Sequence, residues 1–160
     1  NEEKIAKGLE SAKHHKKLYV ETGFLASHYH FGKTKHPGII AAKSSEKDRM
    51  AMESGKIKVI YGFEELHRKD FLHQRASGLN HILCGLAKKN KVSIGFSYGM
   101  LLNKSPQMTS LLMGRMMQNI RLCQKFKVST IMGSFARNPY ELRQSHDIAS
   151  LFRMMGMDSK

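Results

Sequence analysis

Val92-Ser93-Ile94-Gly95-Phe96-Ser97, then residues 107–127, then Val128 to Ser134 form the stretch whose reading decides the fold. The first run is rich in β-branched and aromatic residues and ends in turn formers, so it reads as a strand. Residues 107–127 place Met108, Leu112, Met116, Ile120 and Cys123 on one face and Arg121 and Lys125 on the opposite one, which is a helix with a cationic outer face. The third run reads as a strand again. Two strands joined through a helix of this length imply parallel pairing by a right-handed crossover.

The alternation extends outward in both directions. Upstream, Leu79, Ile82, Leu83 and Leu86 form one apolar stripe, with Ser77 placed to cap that helix, and the strand Ile57-Lys58-Val59-Ile60-Tyr61 precedes it. Before that come a short helix around Glu46 to Ser54 stopped by Gly55, a short strand over Gly38 to Ala42, a His-rich loop and a strand at Leu18 to Phe24. Residues 2–16, with Ile5, Leu9 and Ala12, read as an amphipathic surface helix. Downstream, the loop Phe135 to Arg143 leads to a final helix with Ser145 as its cap, Asp147 in its first turn and Gly156 at its end. The sum is about five strands alternating with helices, with no fixed repeat and no linker, hence one α/β domain over residues 1–160. That is too few for a closed eight-stranded barrel, so the expectation is an open sheet or a partial TIM-type barrel.

Charge points to a class of partner. The chain has 27 Lys and Arg against 13 Asp and Glu, a formal +14 and a pI near 9.9. Such an excess favours polyanions, with nucleic acid as the first candidate and acidic membrane surfaces as the competitor. No apolar run reaches the length of a membrane span, and the start Asn1-Glu2-Glu3-Lys4 lacks the apolar stretch of a signal peptide, so a cytoplasmic protein is expected. Cys84 and Cys123 fall in helices without a Cys-x-x-Cys pair and read as buried free thiols. The 11 Met read as packing.

Chemistry-bearing loops follow the strands in such folds. His28-x-His30 lies in one of them, and a metal-dependent barrel hydrolase would use such a pair. It also needs ligands at later strand ends, where Ser97 and Ser134 stand instead and only Glu64, Glu65 and His67 could help. Neither a Walker-type phosphate loop nor a dinucleotide fingerprint is present. Arg68, Lys69, Arg75, Arg137 and Arg143 fare better, since all sit in segments after strands. Arg suits bidentate phosphate contacts, and Phe135 and Tyr140 offer faces for an unpaired base. Pro139-Tyr140 can equally serve to shape the turn, and Arg143 to pair with Glu141 or cap a helix; these alternatives stay open.

Two stretches then carry a family resemblance. Arg68-Lys69-Asp70, continuing to Ser77-Gly78-Leu79-Asn80-His81-Ile82-Leu83, resembles the Arg-Lys-Asp and Ser-Gly-Leu-Asn-His-Val-Leu elements of archaeal ribonuclease P protein component 3, counterpart of the thirty-kilodalton subunit of the eukaryotic enzyme. Lys127-Val128-Ser129 through Gly133-Ser134-Phe135-Ala136-Arg137-Asn138-Pro139-Tyr140-Glu141-Leu142-Arg143, with Asp147 and Leu151, resembles its second signature. The resemblance runs from Gly38 to Gly156. It departs where six residues, Phe71 to Ala76, separate Asp70 from Ser77, which many family members have adjacent. The family's full chain resembles a closed barrel with extra strands at both ends, so a shortened or incompletely represented chain is expected.

The resemblance implies a non-catalytic subunit of a ribonucleoprotein endonuclease that removes the 5′ leader of precursor tRNA. The catalytic RNA holds the magnesium, the protein binds no cofactor, and protein component 2 is the subunit it pairs with among the other proteins. It also implies RNA contacts at Arg68, Lys69, Arg137 and Arg143, with His81 and Arg115 as further choices. His81 projects away from the apolar stripe of its helix, which agrees with a surface role.

Overall fold

The computed structural model describes residues 23–26 and 38–158. The helix expected over residues 2–16, the start of the strand at Leu18 and the His28-x-His30 loop lie outside the described residues. Strands β1 (Gly23–Ala26), β2 (Ile39–Lys43), β3 (Val59–Tyr61), β4 (Ser93–Ser97) and β5 (Thr130–Gly133) form one five-stranded sheet. Every pairing is parallel, and the spatial order equals the chain order. Between and after the strands run α1 (Asp48–Glu53), α2 (His81–Lys89), α3 (Pro106–Phe126) and α4 (Ser145–Met154).

A sheet that never reverses its direction of growth keeps its crossovers on one side, and the core shows this. Ile40, Ala42, Ile60, Ile94 and Phe96 point to one face and pack in a single cluster with Ala51 and Met52 of α1, Cys84 of α2, Leu112, Met116 and Ile120 of α3, and Phe152 of α4. Each Ile, Leu, Met or Phe among them, fully withdrawn from water, contributes about 2 kcal/mol. The opposite face carries the registers Leu25, Ala41, Val59, Ser93 and Lys43, Tyr61, Gly95, Ile131. Leu25 (61% exposed) and Ile131 (41% exposed) lie open on it, and among the described residues no helix packs against it. The architecture is therefore the winding of a TIM-type barrel, open on the face that a closed barrel turns inward, as expected from the alternation.

Local chemistry sets the boundaries. Asn80, not Ser77, caps α2: its Oδ1 accepts the Leu83 N–H at 2.9 Å, and helix geometry begins only at His81. Ser105 Oγ accepts the Met108 N–H at 3.3 Å and Pro106 opens α3. Ser145 is the first residue of α4 and not its cap; Gln144 precedes it without a side-chain bond to the helix. Gly156, at φ +97°, ends that helix as the sequence implied. Cys84 and Cys123 are buried free thiols. Among the described residues no helix is long and apolar enough to cross a membrane.

Candidate nucleic-acid interface

The segment after β3 is held by a buried polar strut from α3. Arg115, 1% exposed, donates from Nε to Asp70 Oδ1 at 2.8 Å and from Nη1 to the carbonyls of Glu64 and His67, each at 2.7 Å. One turn on, Asn119 Nδ2 donates to Glu64 Oε1 at 2.7 Å and to the Ser77 carbonyl at 2.9 Å. Asp70 Oδ1 also accepts the Ala76 N–H at 2.8 Å, closing the base of the Phe71 to Arg75 loop. Burial pushes the Asp70 carboxyl up, but the Ala76 N–H and the Arg115 guanidinium outweigh it and hold the group below the usual carboxylate range. Glu64 behaves oppositely. Burial raises its pKa to about 7 despite the Asn119 hydrogen bond, because Oε2 faces no donor and an ionised carboxylate there would be poorly compensated.

What the strut positions is cationic. Arg68 and Lys69 lie exposed between its anchor points His67 and Asp70, and neither forms an ion pair among the described residues. Arg75 lies against α3, its Nη1 donating to the Gly114 carbonyl at 2.7 Å. A Cβ at Gly114 would meet the Arg75 Cζ at 2.9 Å, so this glycine is what lets the guanidinium lie down.

The segment after β5 forms the other cationic loop. Glu141 ties it, accepting the Arg137 N–H and an Asn138 Nδ2 hydrogen, each at 2.8 Å. Phe135, at φ +45°, folds back over the open sheet face and stacks on Tyr61 with ring centroids 4.6 Å apart. Gly95 beneath admits the pair, since a Cβ there would lie 2.9 Å from Tyr61 Cβ and 3.0 Å from Phe135 Cζ. A cleft of about 550 Å³ opens beside this stack, with Lys43, Glu65, Lys104 and Arg137 in its wall. Glu65 bridges Lys43 at 2.8 Å and Lys104 at 3.3 Å. Burial raises the Glu65 carboxyl, but the Lys43 contact first and Lys104 second bring it below the usual range.

The residues singled out from the sequence thus divide. Arg68, Lys69, Arg137, His81 and Tyr140 are exposed, the last at 91%. Arg143 is exposed but does not pair with Glu141; its Nη1 donates to the carbonyls of Tyr140 and Leu142, and its guanidinium lies 5.8 Å over the Tyr98 ring. Arg115 is a correction: it points inward as the strut and presents nothing to a ligand. Sequence reasoning missed Lys43, at the end of β2, and Lys104, in the turn before α3. Gly95-Phe96-Ser97-Tyr98-Gly99 has the spacing of a nucleophile elbow. Ser97 is 4% exposed and its Oγ accepts the Met100 N–H at 3.2 Å, so the hydroxyl serves the turn. Among the described residues no group of three or more His, Cys, Asp or Glu could hold a metal ion. His28 and His30 lie outside the described residues, and nothing else supports a metal-dependent hydrolase.

The structure is an open sheet of parallel strands in barrel winding, with two basic loops after its strands, one braced by the buried Arg115. The family model for RNase P subunit p30 matches residues 68–160, which include both loops. The chain belongs to that family. Ribonuclease P protein component 3 of Thermococcus kodakarensis is 34% identical over 111 residues, covering 69% of this chain and 47% of that protein. Its namesake from Methanocaldococcus jannaschii is 27% identical over 109 residues, covering 65% and 47%. The chain therefore spans about half the length of the curated relatives it matches. A chain in a cryo-EM structure of archaeal ribonuclease P with mature tRNA superposes with a TM-score of 0.78 over 98% of this chain and 69% of that one, at 21% identity, which shows the shared fold.

Proposed function

We propose that the protein is a non-catalytic subunit of ribonuclease P that binds the catalytic RNA and assists removal of the 5′ leader from precursor tRNA. The observation that carries this reading is the coincidence of the family match with the two basic loops and their braces. Arg68 and Lys69 are held by the Arg115–Asp70 pair, and Arg137 by Glu141. With the loop backbones fixed, phosphate contact costs only the ordering of the exposed Arg68, Lys69 and Arg137 side chains. Arg68, Lys69 and Arg137 are the leading RNA contacts, with Arg143, Arg75, Tyr140 and His81 around them. Magnesium belongs to the RNA, and the protein acts through position and charge. Protein component 2 and other subunits of the particle are its protein partners, precursor tRNA is met through the assembled enzyme, and the compartment is the cytoplasm.

The test is binding to ribonuclease P RNA across a salt series. Each phosphate contact removed lowers the slope of log affinity against log salt by about 0.7 to 0.9. Arg68→Ala with Arg137→Ala is expected to lower it by about 1.5 and to leave the thermal midpoint unchanged. An unaltered affinity in a folded double variant would contradict the reading.

A further inference from the structure

Beyond the Arg75 contact at Gly114, the cationic outer face of α3 is not used by the loops described above. Between that face and the Phe71 to Arg75 loop runs an open groove of about 670 Å³, walled by His73, Arg75, Met117, Gln118, Arg121 and Lys125 among others, with no carboxylate in its lining. Met117, Arg121 and Lys125 follow one another at helical spacing, so the groove tracks down the helix from the rim of the sheet.

The chain that builds it is one-signed far beyond its lining residues. From Phe71 to Tyr140 the chain contains no Asp or Glu, and α3, 21 residues long, contains none. Asp70 is the nearest acid in sequence, and its carboxylate is already bonded to Arg115 and to the Ala76 N–H. Neither Arg121 nor Lys125 is in an ion pair among the described residues. Lys125 lies 5.9 Å over the Phe126 ring.

The loop that forms the upper wall has an unusual tip. Phe71 is 66% exposed and Leu72 is 92% exposed, although the loop itself is pinned by Asp70 to Ala76, by the Phe71 N–H to the Gln74 carbonyl at 2.9 Å, and by Arg75 to Gly114. Phe71, its ring centroid 6.5 Å from that of His67, and Leu72 stand outside the groove lining but on the same pinned loop whose His73, Gln74 and Arg75 wall it, so the loop joins an exposed ring to a cationic track, the two elements that bind a single strand.

We infer that this groove binds single-stranded RNA, with phosphates along His73, Arg75, Arg121 and Lys125 and an unpaired base stacked on Phe71. The inference rests on the reading of the protein as RNA-binding and adds a second surface, on the helical side of the sheet. A base-paired RNA has no unstacked base to offer Phe71, so the site prefers single strands.

The experiment measures binding of oligouridylate and of a blunt RNA duplex to wild type, Phe71→Ala, Arg121→Gln with Lys125→Gln, and Arg68→Ala with Arg137→Ala. Phe71 and Arg121 are exposed, and circular dichroism with the thermal midpoint confirms that each variant is folded. Phe71→Ala is expected to weaken oligouridylate about tenfold and to leave the duplex unchanged. The Arg121 and Lys125 double variant is expected to lower the oligouridylate salt slope by about 1.4. Wild-type affinity in both groove variants, with binding lost in the rim variant, overturns the groove and leaves the functional reading standing. No binding of either RNA by wild type overturns both. Groove variants that lose binding to polyglutamate but keep RNA binding also overturn the inference, in favour of an acidic protein segment.

Discussion

Glu64→Gln is expected to remove a pH dependence that the wild-type fold carries. In the unfolded chain this carboxyl titrates near 4.5, whereas burial raises it to about 7 in the folded protein. Below the lower value both states hold the proton and Glu64 contributes no pH dependence. Between the two values the unfolded chain releases its proton and the folded chain keeps it, so stability falls as pH rises, by about 1.4 kcal/mol per unit. Above the upper value the loss levels off at about 3 kcal/mol. Gln keeps an Oε1 acceptor for the Asn119 amide and carries no charge at any pH, so the variant lacks this term. The assay is urea unfolding of both proteins at intervals from about pH 5 to about pH 8. Carboxylates held low, such as Asp70 and Glu65, act alike in both proteins and cancel in the difference. A stability difference that grows with pH in favour of Gln supports the buried neutral Glu64. A constant difference, or one of opposite sign, refutes the reasoning.

Other expected outcomes concern the strut and the turns. Arg115→Met removes the donor shared by Asp70 and two loop carbonyls and is expected to cost about 2–3 kcal/mol, with trypsin cleaving at Arg68 or Lys69 before the rest of the chain. Gly78→Ala places a Cβ 2.3 Å from the Phe63 carbonyl oxygen at a φ of +77° and is expected to destabilise by about 2–4 kcal/mol in urea unfolding. Asn80→Ala is expected to cost about 1 kcal/mol through the lost α2 cap, whereas Ser77→Ala leaves the cap intact; equal costs in the two variants would return the cap to Ser77.

The order of strands and helices was legible because the periodicity changes cleanly between Val92 and Ser134, and sequential winding follows from the connection lengths. Less local features were not. Arg115 stands beside Met116 on the flank of the apolar stripe, and its inward turn depends on Asp70, 45 residues earlier in the chain. Ser77 and Asn80 are both acceptable caps by type, and only the start of the helix at His81, with the Leu83 N–H bonded to Asn80 Oδ1, assigns the cap to the second. Lys43 and Lys104 meet across Glu65 through the packing of separate segments, which no spacing rule encodes. The two basic loops were legible as loops after strands. Their bracing was visible only in three dimensions.

The most direct measurement is cleavage of precursor tRNA by ribonuclease P RNA at limiting magnesium, reconstituted with its other protein subunits, with and without this protein and its Arg68→Ala, Arg137→Ala variant. Stimulation by the wild type and its loss in the folded variant is the predicted result. Cleavage unaffected by the protein, or precursor tRNA cut by the protein in the absence of the RNA, would contradict the account.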